Sequence, residues 1–525
     1  MYIKSVNYYS LLLTVVIVKI KYLLIVGMLW QIVVLLVLLW IYYGHHKNRR
    51  FIQFSKCFKN DYKTLPLIGH AYLFCGDGEV RMTAFQLLGR QALKHGGAAG
   101  AWFCRKFYVV ITDPVDLDVV MKTSFEKATI MQFARNLIGN GSIFAPVPIW
   151  RPRRKVLAPT FSLKNLNKFM KIFNHQSRIM VDKLQKQVGA GPFSIWGYTS
   201  TFTMDAISET ALGVKLNAQS HSDQPFLTAM DRCLYLITMR MVQPWLHFKF
   251  ILSKLPLYKE FKTCKKIVYD FIDEIIVSKR KTMKGNINDE SQEEQDDGRW
   301  KTLLELFIES SGGYTDVELR EEILVILTAG TDTSAVGISF TLLMLSRHLD
   351  VQEKLYQELQ LVFENSERPV ETEDFHKLKY LDAVIKETIR LYPPGPIMDR
   401  YIEKDLKLPS GQTLLKGCGV MVNVWAVHRN TKYWGDDAEG FRPERFFDSP
   451  PKHPAAFQAF SYGPRSCIGS QYAMMSMKTA VIYLMRKFRF LPIGDRNHQD
   501  APIRLTYSIM MKDVDGFIVQ LEKRS

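Results

Sequence analysis

The fold is decided by a ten-residue stretch near the C-terminus, Phe460-Ser-Tyr-Gly463-Pro-Arg465-Ser-Cys467-Ile-Gly469. Two glycines flank the cysteine, and glycine permits turns with positive φ and a close approach of the backbone to a flat ligand. Arg465 adds a positive charge that favours the thiolate. A helical pattern over residues 471–485 follows, so the positive end of its dipole also favours an anion here. A buried structural cysteine in a turn is the competing interpretation, but the ten-residue pattern is more specific than that.

A long apolar helix is predicted upstream, from about residue 316 to residue 348. It is interrupted by Ala329-Gly330-Thr331-Asp332-Thr333-Ser334. Glycine costs about 1 kcal/mol there relative to alanine, and threonine and aspartate compete for backbone hydrogen bonds. Such a segment can widen the helix and admit a ligand or water. Small-residue packing against a neighbouring helix explains it equally well, so the helix alone leaves both interpretations open.

Together these features resemble the cytochrome P450 monooxygenases. The cysteine stretch matches F-x-x-G-x-R-x-C-x-G, the haem-binding loop of that family, and A-G-T-D-T resembles its oxygen-activating helix. Between them, Glu387-Thr-Ile-Arg390 resembles the E-x-x-R motif, and Phe441-Arg-Pro-Glu-Arg445-Phe resembles the P-E-R-F segment. The resemblance runs from about residue 50 to the C-terminus. It implies a mainly α fold, with a large helical domain and a small β-rich region, and a haem-thiolate monooxygenase of the fatty-acid ω-hydroxylase clan in its insect-like forms.

The resemblance implies that Cys467 binds the haem iron as a thiolate, which pushes electron density onto iron and favours O–O cleavage. Phe460 is expected to pack near the sulfur. Gly463 and Gly469 are expected to let backbone N–H groups approach and tune it. The cofactor implied is heme b, iron protoporphyrin IX. It is expected to be held non-covalently, because Ala329 stands where many members of the clan carry the glutamate that esterifies the haem.

Buried haem propionates need cationic or hydrogen-bonding partners. Arg465 is the first candidate. Trp150 and Arg154 are four residues apart, so they share a helix face, and they match the family's W-x-x-x-R pair. Arg400 matches another frequent propionate arginine of the family, with a solvated loop arginine as the alternative. Two neighbouring arginines are expected to be surface charges, Arg151 and Arg153.

The resemblance assigns the oxygen chemistry to Thr333 and Asp332. Splitting dioxygen consumes protons inside an apolar pocket; a threonine hydroxyl can organise water there, and a carboxylate can relay protons from bulk solvent. The alternative for Thr333 is a helix hydroxyl bonded back to a carbonyl. Three residues resemble the family's buried ion network and are predicted to be structural, Glu387, Arg390 and Arg445. His428 is also predicted to be structural rather than a metal ligand.

A membrane anchor is predicted at the N-terminus. Residues 22–43 carry no charge and are long enough to span a bilayer. A cleaved signal peptide is the alternative, and the long apolar run without a small-residue cleavage site argues against it. Basic residues are more frequent after the segment than before it, which places the catalytic part in the cytosol. We therefore predict an anchor over residues 1–50, a haem-thiolate domain over residues 51–525, and location in the endoplasmic reticulum membrane.

Two short strands are predicted at residues 100–104 and 107–112. Four amphipathic helices are predicted next, at residues 163–188, 195–212, 225–241 and 259–283. The polar, acidic stretch 284–299 has no apolar period and is predicted to be a solvated linker.

Composition restricts the class of protein. The chain has 525 residues with 47% apolar residues, so it is not disordered, and its seven scattered cysteines form no disulfide scaffold or C-x-x-C zinc site. The net charge of +17 suits anionic lipid and an acidic electron donor. The expected donors are NADPH-cytochrome P450 reductase and cytochrome b5. The expected docking residues are Lys452, Arg465 and Lys478. Nucleic acid is not expected, since no basic-aromatic motif is present.

The substrate is predicted to be a lipophilic small molecule: a fatty acid, a terpenoid or a xenobiotic. The apolar, Met-rich segments 128–143 and 228–246 can re-pack around such ligands, although packing among themselves explains them as well. Two other functions stay open on the sequence. One is a haem-thiolate isomerase or dehydratase acting on hydroperoxides, against which Thr333 argues. The other is a non-enzymatic, membrane-anchored haem or lipid binder.

Overall fold

A computed structural model describes residues 2–221, 225–287, 301–310, 313–364, 366–493 and 501–524. The α-helices in these residues are α1 Tyr2–Lys47, α2 Arg49–Ser55, α3 Gly78–Lys94, α4 Pro114–Thr123, α5 Arg135–Ile138, α6 Val147–Leu157, α7 Leu163–Leu184, α8 Trp196–Ile207, α9 Pro225–Val242, α10 Lys249–Lys254, α11 Pro256–Ile287, α12 Leu303–Glu309, α13 Asp316–Arg347, α14 Leu349–Phe363, α15 Lys379–Leu391, α16 Val424–Val427, α17 Thr431–Trp434, α18 Arg445–Asp448 and α19 Ser470–Lys487. The strands are β1 Ala98–Phe103, β2 Lys106–Ile111, β3 Phe193–Ser194, β4 Ile397–Tyr401, β5 Leu406–Lys407, β6 Thr413–Leu414, β7 Gly419–Asn423, β8 Phe488–Leu491, β9 Leu505–Ser508, β10 Met510–Asp513 and β11 Ile518–Lys523.

The predicted mainly α architecture is confirmed, and the predicted strands and helices are found within a few residues of their expected ends. The helix expected over residues 195–212 is α8, extended by one π-helical turn at Ser208–Leu212. The expected linker begins later than predicted, because α11 continues to Ile287. The linker's remaining residues up to 299 lie outside the described residues.

Helix α13 is the central element of the core, with most of its residues buried. Its helical geometry is α throughout, so the small residues at 329–334 do not widen it. They serve close packing instead: a Cβ on Gly330 would lie 2.6 Å from Ile207 Cγ1 of α8. A side chain there would push the two helices apart, which explains the glycine. The packing interpretation therefore holds for Gly330.

A four-stranded sheet in the order β1-β2-β7-β4 flanks the helical core. Strands β2 and β7 are parallel, and β4 and β7 are antiparallel, with Asp399 opposite Met421 and Arg400 opposite Val420. Strand side chains alternate between the faces of a sheet. Both Asp399 and Arg400 are nevertheless buried, because β4 is covered on both sides.

Helix α1 is one continuous helix in which residues 13–36 form an apolar stretch with mean hydropathy 2.0. This stretch overlaps the predicted span 22–43 over residues 22–36. None of the residues of this stretch is buried, whereas the similarly apolar α13 is largely buried and belongs to the core. The end of α1 contacts the β1–β2 turn, where the Arg105 guanidinium lies over the Tyr43 ring at 6.0 Å. The Asn48 side-chain amide donates to the Arg105 carbonyl at 3.1 Å.

Candidate active site

Cys467 lies in the loop that leads into α19, and its sulfur is accessible although surrounding protein raises the pKa of the thiol by desolvation. The Cys467 N–H donates to the Phe460 carbonyl at 2.8 Å, which closes the loop. Gly463 has φ +74°, and a Cβ there would lie 2.6 Å from the Met121 carbonyl oxygen, so glycine is required. At Gly469 a Cβ would meet Phe161 at 3.9 Å, an ordinary contact, so the surrounding protein does not require glycine there.

The positive charge that acts on the sulfur comes from a different arginine than predicted. Arg154 of α6 and a hydrogen bond from the Gly469 N–H both oppose the desolvation of the Cys467 thiol and lower its pKa. The Arg154 guanidinium also donates to the Ser466 carbonyl at 2.8 Å, and so braces the loop. Arg465 points elsewhere. The expectation that Arg465 favours the thiolate was therefore wrong, because a short sequence distance did not bring its guanidinium to the sulfur.

Arg465 is buried, and its guanidinium donates to the carbonyls of Phe125 at 2.5 Å and Ala145 at 2.6 Å. It also lies over the Trp150 ring at 4.8 Å. Trp150 itself is buried on α6. The structure therefore brings Arg465 and Trp150 together, on the side of the loop where Arg154 also lies.

Arg400 is fully buried on β4, where it donates to the Asp399 carbonyl at 2.7 Å and its Nε has no hydrogen-bond partner among the described residues. The alternative of a solvated loop arginine was therefore wrong. Lys127 Nζ lies 3.9 Å from Asp399 Oδ1. Desolvation and the charges of Arg400 and Arg465 lower the pKa of Lys127 to about 7, although Asp399 opposes them. Desolvation and Arg400 also lower the pKa of Arg465, to about 10. Two carboxylates oppose these effects on Arg465, Glu126 and Asp399, so three cations face two carboxylates in this cluster.

Helix α13 presents the two residues predicted for oxygen chemistry. Asp332 is buried, and desolvation raises the pKa of its carboxyl to about 6. The Thr333 hydroxyl donates to the Ala329 carbonyl at 2.5 Å, the back-bonded geometry that was the alternative for this residue. Thr333 is only partly buried, so its oxygen can still accept a hydrogen bond.

An apolar cavity lies between β1, β2, β4, β7 and the helices α3 and α9. Both Met-rich segments contribute to its wall, through Ile130 and Met131 and through Met241 and Val242. Aromatic side chains form most of the remaining wall, Phe85, Phe103, Tyr108 and Tyr507. The cavity reaches Asp399, at the edge of the cation cluster.

The profile of the family "Cytochrome P450" matches residues 61–518. The chain belongs to the cytochrome P450 family. It is 30% identical over 477 residues to "Cytochrome P450 4d2" of Drosophila melanogaster, covering 88% of this chain and 93% of that protein. It is 30% identical to "Cytochrome P450 4V2" of Mus musculus over 88% of this chain and 89% of that protein. It is 31% identical to "Cytochrome P450 4c21" of Blattella germanica over 84% of this chain and 89% of that protein. This P450 is thus of the family-4 type, a haem b-dependent monooxygenase, and a non-enzymatic binder is excluded.

The residues of this P450 fit haem b. An accessible thiol is available at Cys467, and a metal deprotonates a thiol that it binds. The cluster of Lys127, Arg400 and Arg465 carries surplus positive charge in a buried place, which is costly unless anions compensate it. The two haem propionates would supply the compensating negative charge. The unpaired Arg400 Nε is a donor for one of them.

The three residues of the predicted ion network contact one another in the structure. Glu387 accepts from Arg390 through both oxygens, at 2.6 and 2.8 Å, and from Arg445 Nε at 2.9 Å. All three side chains are buried. Arg445 also donates to the Asp437 carboxylate at 3.1 Å, and other guanidinium N–H groups donate to backbone carbonyls that include those of His428, Ala438 and Trp434. The network ties α15 and α18 together without reaching the sulfur.

His428 joins this network to the cysteine loop. Its Nδ1 lies 2.8 Å from the Arg390 carbonyl oxygen and so carries the proton, and its Nε2 accepts from the Gln458 N–H at 2.8 Å. Desolvation lowers the pKa of His428 to about 3, so the ring is neutral. Gln458 lies two residues before Phe460. His428 is therefore positioned as a structural link.

Two predictions about surface charge were wrong. Arg153 is buried and pairs with three glutamates of α13, the closest being Glu322 at 2.8 Å. Lys478 is buried and pairs with Asp382 at 2.8 Å, so neither it nor the buried Arg465 is available for docking a donor. In each case the charge faces a partner from a distant part of the chain, which a local pattern does not reveal.

Proposed function

We propose that this P450 inserts one oxygen atom from O₂ into a lipophilic substrate, a fatty acid, a terpenoid or a xenobiotic, using electrons that originate from NADPH. One observation carries the proposal: an apolar, aromatic-lined cavity ends at the same cation cluster that suits the haem propionates. A ligand in that cavity would lie beside the cation cluster that we assign to the haem propionates. Its wall offers apolar side chains, which favours a greasy molecule.

When bound, haem supplies the reductive activation of dioxygen. We assign the iron ligand to Cys467, whose loop is shaped by Gly463, Phe460 and Gly469. We assign the propionates to Arg400, Arg465 and Trp150, with Lys127 as a partner that the sequence did not reveal. Arg154 is better suited to stabilise a Cys467 thiolate, because it acts on the sulfur and donates to the Ser466 carbonyl.

We assign proton handling to Asp332 and Thr333. The pKa of Asp332, raised by desolvation to about 6, lies close to neutral pH, where a carboxyl both takes up and releases protons. The Thr333 hydroxyl donates to the Ala329 carbonyl, which leaves its oxygen able to accept a hydrogen bond from water. The two neighbours would pass a proton from Asp332 to water held by Thr333. This pair also favours a monooxygenase over an isomerase or dehydratase of hydroperoxides, which needs no proton delivery to dioxygen.

We propose that residues 1–50 anchor the protein in the endoplasmic reticulum membrane and that residues 51–525 form the cytosolic catalytic domain. The apolar stretch of α1 supports the anchor. A second apolar surface, in the segment between α9 and α11, also supports membrane contact. There Trp245, Phe248 and Phe250 are exposed next to Lys249. NADPH-cytochrome P450 reductase is the proposed electron donor and cytochrome b5 a second one, with the exposed Lys452 in the docking face.

The function is tested by spectral titration of the purified holoenzyme with a panel of fatty acids, terpenoids and xenobiotics, followed by turnover with the reductase and NADPH. We expect at least one class to perturb the haem spectrum and to gain one oxygen atom, traced with labelled O₂. Thr333→Val should still bind substrate, and the fraction of NADPH electrons that is lost as hydrogen peroxide should rise several-fold. Thr341→Val is the control, since Thr341 makes the same back-bond, to Gly337 at 2.7 Å, in the buried core. Conversion of hydroperoxides without NADPH would overturn the proposal.

A further inference from the structure

A largely buried lysine lies between the carboxylate that we assign to proton handling and a carboxylate at the protein surface. Lys512 on β10 lies between two carboxylates from different helices, Asp231 of α9 and Asp332 of α13. Its Nζ is 2.9 Å from Asp231 Oδ1 and 3.7 Å from Asp332 Oδ2. Asp332 is almost fully buried, whereas the Asp231 side chain is 46% exposed. The three groups thus run from the interior next to Thr333 to solvent.

The surroundings fix the lysine in this place. Its Nζ lies 4.1 Å from the centre of the Trp196 ring on α8, a distance at which the ring face attracts a cation. Asp332 Oδ2 accepts no hydrogen bond from the described residues, so the Lys512 charge is the stabilising contact that it has on that side. Four elements, α8, α9, α13 and β10, meet at this point.

The charges act in opposite directions on Asp332. Desolvation raises the pKa of Asp332, Lys512 lowers it, and Asp231 raises it; among the described residues these are the charged groups that act on it. Desolvation acts to lower the pKa of Lys512, but Asp332 and Asp231 outweigh it and raise that pKa. The lysine therefore stays protonated and acts as a fixed positive charge rather than as a proton carrier.

We propose that Lys512 is a positioning residue that keeps the Asp332 carboxylate ionised and correctly oriented. Its ion pair with Asp231 sets how strongly Lys512 acts on Asp332. This inference rests on the proposed role of Asp332 in proton delivery. Asp231 lies on the same helix as Thr238, Met241 and Val242, which line the cavity. A substrate that displaces α9 would weaken the Asp231–Lys512 ion pair. Lys512 would then interact more strongly with Asp332, so that proton delivery would depend on whether the cavity is occupied.

The first test is the pH dependence of coupling, the fraction of NADPH electrons recovered in product. Lys512→Met removes the charge that keeps Asp332 ionised, so the midpoint of the pH profile should rise by about 1 to 3 units. Asp231→Asn removes the competing carboxylate, so the midpoint should fall, by less than about 1 unit because Asp231 is half exposed. Lys512→Arg should restore most of the wild-type profile. Lys301→Met removes an exposed lysine that pairs with Glu309 and is the control.

The second test needs neither substrate nor reductase. It is the thermal unfolding midpoint of the haem-loaded enzyme between pH 4 and pH 8, each variant measured against its own Asp332→Asn counterpart. A carboxyl with a raised pKa in the folded state loses its proton less readily than in the unfolded chain, so it lowers stability as pH rises from its unfolded pKa to its folded one. The decline due to Asp332 should end near pH 6 in the wild type, at higher pH in Lys512→Met and at lower pH in Asp231→Asn.

Opposite shifts in the two variants support the proposal. A uniform loss of stability in Lys512→Met, with no displacement of either profile, or shifts of the same sign in both variants, would overturn it, because a merely structural lysine gives that result. If the unmodified enzyme oxidises no substrate, the proposed function fails, and the thermal measurement still decides the role of Lys512.

Discussion

Two buried ionic regions of this P450 differ in how completely their charges are compensated. Around Glu387, Arg390 and Arg445 share one carboxylate, Arg445 also pairs with Asp437, and the other N–H groups of the two arginines donate to backbone carbonyls. Around Arg400, three cations face the carboxylates of Asp399 and Glu126, and the Arg400 Nε has no hydrogen-bond partner among the described residues. The pKa of Lys127 is lowered to about 7 by desolvation and by the neighbouring arginines.

The difference separates a structural site from a binding site. A network whose donors and acceptors match is complete in the protein alone and stabilises the fold. A buried cluster with surplus charge is unfavourable until an oppositely charged ligand binds. Motif similarity predicts a structural role for the Glu387 network and a propionate-binding role for Arg400, and the contacts give the physical reason for the difference.

The largest effect is expected at Glu387. Glu387→Gln leaves the buried Arg390 guanidinium without its counter-charge and leaves Arg445 with Asp437 alone, at 3.1 Å, which should cost about 3 to 5 kcal/mol of unfolding free energy. The measurement is urea unfolding of the holoenzyme. Glu260→Gln is the control, because Glu260 pairs with Arg232 at 2.6 and 2.9 Å on the surface and should cost less than about 1 kcal/mol. Equal effects of the two substitutions would remove the structural role of the network.

Arg400 and Arg445 should respond in opposite ways to the same change. Arg400→Met removes a charge-assisted bond to a propionate, so haem affinity should fall by about 10- to 100-fold, with little loss of protein stability. Arg445→Met should instead lower stability first, with haem loss following unfolding. The rate of haem transfer to an excess of a scavenger protein, compared with urea unfolding, separates the two. An Arg400 variant that keeps its haem as firmly as the wild type would contradict the assignment.

A smaller effect is expected at Lys127, and it depends on pH. In the protein alone the pKa of Lys127 is about 7, lowered by desolvation first and then by Arg400 and Arg465, with Asp399 opposing them. An anionic ligand prefers the protonated lysine, so above pH 7 binding takes up a proton and haem retention should weaken as pH rises. Lys127→Met should lower retention by a few-fold at pH 7 and flatten this dependence between pH 7 and pH 9. A dependence that survives the substitution belongs to another group.

The sequence predicted the parts of the site that are local along the chain. The loop around Cys467 and the Glu387–Arg390 spacing are short patterns with a direct geometric meaning, and the long apolar period of α13 predicted its buried place. The helix bounds followed from the 3.6-residue period to within a few residues.

The remaining features depend on contacts between distant segments. The role of Lys127 depends on its contacts with Arg400 and Asp399, which lie more than 270 positions later in the chain. The role of Lys512 depends in the same way on Asp231 and Asp332. Arg153 and Lys478 were expected at the surface because charged residues usually are. Both are buried because carboxylates from other helices meet them. Arg465 was wrongly expected to act on the sulfur for the same reason.

The most direct test of the central claim is the spectrum of the reduced CO complex in wild type and in Cys467→Ser. The wild type should show the absorption of a thiolate-bound haem, and Cys467→Ser should lose that band while keeping the circular dichroism of the folded chain. Cys264→Ser, at a half-buried cysteine on α11, should leave the band unchanged. A thiolate-type band that persists in Cys467→Ser would show that another residue binds the iron and would contradict the account.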